Sequence, residues 1–111
     1  MAKYPDNFMW LESKFGKAFK THQALGEQLQ EAGPINKKMT HLIQLAAAAA
    51  IRSEGAVHSH VRRALEEKTE PAEIYHTLVL LTSTIGFPAV AASLSWARDV
   101  IEKGEKDRKK K

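Results

Sequence analysis

Apolar positions recur along most of the chain at intervals of three and four, and no segment alternates with the period of two that a half-buried strand needs. From Asp6 to Glu31, Phe8, Leu11, Phe15, Phe19, Leu25 and Leu29 keep helical spacing, with Gly16 and Gly26 as weak points where the segment can divide. Ala32-Gly33-Pro34 stops it. A second pattern starts at Asn36, whose side-chain carbonyl suits an N-cap, and passes through Met39, Leu42, Ile43, Leu45 and the alanines 46–50. It is apolar nearly all round, and its alanines let a neighbouring helix come close.

Ser53 is placed to cap the next helix, with Glu54 against the positive end of its dipole. Thr69 is expected to cap another, in which Pro71 is tolerated in the first turn. Ile74 to Ile85 reads as a continuous apolar helix, Gly86-Phe87-Pro88 breaks the chain, and a last helix runs to about Lys103. The pattern predicts an all-α bundle of five or six helices forming a single helical domain over residues 1–103. Two helices that are apolar on nearly every side are hard to cover within so short a chain, so a homo-oligomer is expected.

Charge changes the picture only at one end. The net +4 is carried by residues 103–111, where six cations face two anions, while residues 1–102 hold eleven of each sign. A neutral body argues against a nucleic-acid partner, and residues 104–111 read as a basic, disordered tail. No uninterrupted apolar run approaches the roughly 20 residues that span a bilayer, and no leader pattern opens the chain. A cytoplasmic protein with no membrane partner is the expectation. Cysteine is absent from all 111 residues, which excludes disulfides, thiolate metal sites and thiol nucleophiles.

The candidate chemistry sits in "RSEGAVHSH", residues 52–60. At 100° per residue, Ser53, Ala56, Val57, His60 and Ala64 share one face, while Glu54 aligns with Val61 and Leu65 on an adjoining stripe. Glu54 and His60 are thus expected to point inward with the apolar residues, and Glu54 then needs either His58 one turn on, which the i,i+4 spacing allows, or a donor from elsewhere. A carboxylate beside imidazole raises its pKa and burial lowers it, a competition that would leave the ring titrating near neutrality. His58 and His60 diverge by about 200°, so Glu54, His58 and His60 do not form a metal site, and no metal or other cofactor is expected.

The stretch from Ile35 to Ile101, with the alanine-rich helix, "HVRRAL", "TEPAEI" and "GFPA", resembles the carboxymuconolactone decarboxylase and alkylhydroperoxidase D-like family. The resemblance implies the helical fold of that family, a family core at 35–101, and a trimeric or hexameric assembly of identical chains. In the family's peroxidase branch a C-x-x-C pair, a histidine and a glutamate form a thiol relay. Those positions fall here on Ser53, Ala56, His60 and His41, so only the histidine is kept and thiol peroxidase activity is not expected.

The decarboxylase branch keeps an acidic residue shortly before the same histidine, similar to Glu54 and His60 here. What the resemblance implies is decarboxylase-like proton transfer on a small carboxylated or lactone substrate. In that reading His60 donates the proton, Glu54 and His58 tune it, and His41, Ser53 and Arg52 bind substrate or support the site, with Arg52 as carboxylate anchor. The rival reading is a non-catalytic helical oligomer in which Glu54, His58, His60 and His41 satisfy one another. A thiol-independent oxidoreductase or metal-binding variant is a third.

Overall fold

The computed structural model describes residues 6–109. Among them there is no strand, and seven helices follow in order: α1 (Asp6–Lys14), α2 (Gly16–Glu31), α3 (Lys37–Ala50), α4 (Glu54–Glu66), α5 (Pro71–Val79), α6 (Thr82–Ile85) and α7 (Phe87–Lys109). The all-α expectation holds, as six full helices and the single turn of α6. The chain groups into two compact units, Met1–Asn36 and Lys37–Lys111.

In the first unit, the long apolar pattern breaks at Phe15, whose backbone leaves the helical region just before Gly16, while Gly26 is carried inside α2. An edge-on contact between Phe8 and Phe19, with ring centroids 4.9 Å apart, joins α1 to α2. Trp10 meets Phe15 in the same way. Of the N-terminal aromatic residues, Tyr4 lies outside the described residues.

In the second unit, α3, α4, α5 and α7 enclose the core. Leu45, Ala49, Val57, Val61, Ala64, Ile74, Leu78 and Ala97 are completely buried, and each of the larger ones contributes about 1.5–3 kcal/mol by leaving water. The alanines of α3 do what their size allows: Ala48 and Ala49 face inward and α3 packs closely along α4. Lysines at the start of α3 tie it to its neighbours, Lys37 to Glu67 at 3.3 Å and Lys38 to Glu73 at 2.9 Å. The other side of α3 stays open, with Ile43, Ala47 and Ala50 exposed. Ile51, Leu80 and Phe87 are more than half exposed elsewhere on the unit.

The turn from α3 to α4 positions the candidate site. Ser53 N–H donates to Ala48 O and Arg52 N–H to Ala49 O, both at 3.0 Å, the paired bonds of a Schellman C-cap. Such a cap needs a left-handed residue, and here it is Arg52 at φ 56° rather than a glycine. Ser53 then reverses role and caps α4, its Oγ accepting from Ala56 N–H at 3.3 Å. The end of α4 repeats the device, with Thr69 N–H on Ala64 O, Lys68 N–H on Leu65 O and Lys68 at φ 64°.

Three local expectations change. Thr69 closes α4 instead of capping α5, whose N-cap is Glu70; there the Glu73 carboxylate accepts from Glu70 N–H at 3.2 Å. The apolar segment after Ile74 is interrupted at Leu80–Leu81, where the ladder tightens to an i→i−3 bond from Leu81 N–H to Leu78 O. The basic segment described as far as Lys109 is helical, not disordered. Its charges alternate so that Glu102 and Lys106, and Glu105 and Lys109, fall at i,i+4, and its cations meet the negative end of the helix dipole.

Because Lys68 holds a conformation that costs an L-residue about 1 kcal/mol or more, Lys68→Gly is expected to stabilise the fold by roughly 0.5–1 kcal/mol. Urea unfolding checks it: the midpoint should rise, and a fall would mean that the left-handed cap is not under strain.

Candidate functional site

The side chains singled out from 52–60 separate into two groups on different sides of α4. His60 turns toward α3, where its ring lies 6.5 Å, centroid to centroid, from that of His41 at a tilt of 36°. His41 is only 3% exposed. The Nδ1 atoms of both rings are buried without a hydrogen-bond partner. An unpaired buried polar atom costs about 1–3 kcal/mol, and no protein group offsets that cost for either nitrogen.

Burial dominates the electrostatics of the pair. It pushes the His60 pKa down to about 4, with the Arg63 guanidinium and then His41 acting in the same direction. The His41 pKa is lowered as well, first by burial and then by Arg63, against a weaker opposing influence from Glu67. Both rings are therefore neutral at neutral pH, each with one donor and one acceptor nitrogen. Proximity of a carboxylate does not return His60 to the neutral range, contrary to expectation.

Glu54 explains the difference. It is exposed, and it lies with His58 and Asp99, whose ligand atoms and its own all fall within 4.8 Å of one another. The helical wheel puts Glu54 in line with Val61 and Leu65, but as the first residue of α4 it overhangs the end of the packed region and stays in water. His58 Nε2 is 3.2 Å from Asp99 Oδ2 on α7, so His58 is engaged on this second side, away from His60. Ser53 is occupied as the N-cap of α4, and Arg52 is exposed at the left-handed turn.

Two residues enter that the sequence reading passed over. Arg63, itself exposed, is the cation that acts on both imidazoles, whereas Arg52 is not among the groups that shift either one. Its position three residues after His60 was the available signal. Asp99 had no such signal, since only the packing of α7 on α4 brings it to His58.

A family model described as the carboxymuconolactone decarboxylase family matches residues 16–99. The match begins at the first residue of α2, upstream of the expected start at Ile35, and takes in the candidate-site side chains from His41 to Asp99. No curated protein matches the chain, and no solved structure does. Ser53 and Ala56, the positions where the resemblance would seat a cysteine pair, form the N-cap hydrogen bond of α4 instead.

The depressed histidines give the fold a defined acid sensitivity. His60 titrates at its ordinary 6.5 when unfolded and about 4 when folded, so the unfolded chain binds more protons between those limits and stability falls as pH drops from about 6.5 to about 4. His60 contributes of order 3 kcal/mol to that loss, and His41 adds to it in the same direction. The exposed Glu73 carboxylate, held low by Lys38, acts only at lower pH. Denaturant unfolding at a series of pH values should show this decline, and His60→Gln should flatten much of it. Equal stability at pH 7.5 and 4.5 would contradict the assignment.

Proposed function

The chain belongs to the carboxymuconolactone decarboxylase family, and from that premise we propose that it is a cysteine-free enzyme of proton transfer acting on a small carboxylated or lactone substrate. The observation that carries this reading is the pair of buried imidazoles, His60 and His41, whose Nδ1 atoms have no partner within the protein. A non-catalytic scaffold would be expected to spend those nitrogens on one another or on Glu54 and His58. Here both are left without a protein partner, and a substrate entering beside them would satisfy them.

The electrostatics suit an anionic substrate. Neutral His60 is poorly placed to donate a proton at neutral pH, but a carboxylate arriving beside it favours the imidazolium. Arg63 supplies the fixed positive charge that draws and anchors that carboxylate, the role expected of Arg52. Upon substrate binding, His60 takes a proton from solvent. Cleavage of the bond to the carboxylate releases carbon dioxide and leaves the electron pair as an enolate on the adjoining carbonyl. His60 then returns its proton to the carbanion carbon. His41, a neutral donor on the facing helix, steadies the developing oxyanion.

The open apolar side of α3, with Ile43, Ala47 and Ala50, supports association with further copies, since exposed contiguous apolar surface of this kind is characteristic of subunit contacts.

Carbon dioxide release from a panel of carboxylated lactones, measured together with solution mass by light scattering, tests the reading. Turnover is expected from a particle several chains in mass, with kcat lowered by about 100-fold or more in His60→Ala. A monomer that turns over nothing in the panel, or full activity in His60→Ala, would overturn it.

A further inference from the structure

The second group of side chains has a different chemistry from the first. Glu54 opens α4, His58 stands one turn later on the same helix, and Asp99 is on α7. One ligand atom from each lies within 4.8 Å of the other two. His58 is a quarter exposed and Asp99 more than half exposed, so the cluster is reachable from solvent.

A simple surface ion pair accounts for only part of this arrangement. His58 and Asp99 satisfy each other at 3.2 Å, but Glu54 brings a second carboxylate to the same imidazole, and the two carboxylates together call for positive charge between them, which protonated His58 or a bound cation can supply. The usual reason for Glu54, favourable placement at a helix N-terminus, applies to any first-turn position and does not call for a histidine one turn on with an aspartate across from it.

The donor set is what a transition-metal ion takes. Glu54 and His58 at i,i+4 project from one helix face as a natural chelate, and Asp99 closes the third position from another helix. In tetrahedral coordination with bonds of about 2.0–2.1 Å, adjacent donor atoms lie about 3.3 Å apart. His58 Nε2 and Asp99 Oδ2 already have that separation, and exposed Glu54 offers a third ligand atom within 4.8 Å of both. One imidazole with two carboxylates favours zinc over magnesium or calcium, which prefer all-oxygen sites.

We propose that Glu54, His58 and Asp99 form a binding site for a divalent transition-metal ion, with zinc as the occupant, that joins α4 to α7. The two carboxylates balance the ion's charge, His58 binds through Nε2 with its proton on Nδ1, and water fills the open position. His58 and His60 diverge on α4 by about 200°, so the metal is separate from the imidazole pair assigned to proton transfer. The two proposals succeed or fail independently.

Calorimetric titration of the untagged, chelator-treated full chain with zinc chloride at pH 7.5 tests the proposal. One zinc ion per chain is expected, undisturbed by excess magnesium. His58→Ala and Asp99→Asn should each weaken binding by more than the roughly 10–100-fold that loss of an outer-shell partner costs. The conservative Glu54→Gln should weaken it as well, and His60→Ala should bind as the parent does. Circular dichroism of each variant separates lost binding from lost fold. Absence of saturable zinc binding, binding unchanged in both His58→Ala and Asp99→Asn, or binding lost only in His60→Ala would each overturn it.

Discussion

Desolvation of two imidazoles between closely packed helices is the constraint from which the functional argument follows. The alanines of α3 allow α4 to come near enough that His41 and His60 are taken largely out of water. An ionised ring there would lose hydration that the surroundings do not replace, and Arg63 makes ionisation harder still. The pair is consequently neutral and incompletely hydrogen-bonded. A fold selected for stability alone would gain by replacing both rings with apolar groups of similar size, which gives the retained cost a chemical meaning.

Neutrality also alters the logic of catalysis. An imidazole near its ordinary pKa can donate a proton without help, whereas His60 at about 4 would, as a proton donor, first have to be made basic by its ligand. In the proposed reaction substrate charge would become part of the machinery, since an anion beside the ring, held by Arg63, would restore the proton that decarboxylation consumes. The proposal therefore implies discrimination against neutral analogues, which would leave the ring unprotonated even when they fit.

Much of the architecture was legible in the chain because its signals are local. The stops at Gly33-Pro34 and Gly86-Phe87-Pro88, the Ser53 cap and the apolar character of α3 follow from residue chemistry over a few positions. The left-handed residues were not legible, because Arg52 and Lys68 stand where a glycine would have announced the turn. The continuation of α7 through the basic segment was overlooked because net charge was weighed above the i,i+4 pairing of that charge.

At the site, His60 and its nearness to His41 could be anticipated from the resemblance, and the divergence of His58 from His60 from helical geometry. The direction of Glu54 could not, since a helical wheel takes no account of where the neighbouring helices end. Asp99 belongs to tertiary packing alone. NMR titration of the ring protons of His60 addresses the central claim most directly: the account predicts a midpoint of about 4 in the free protein, and a midpoint at the ordinary 6.5 would contradict it.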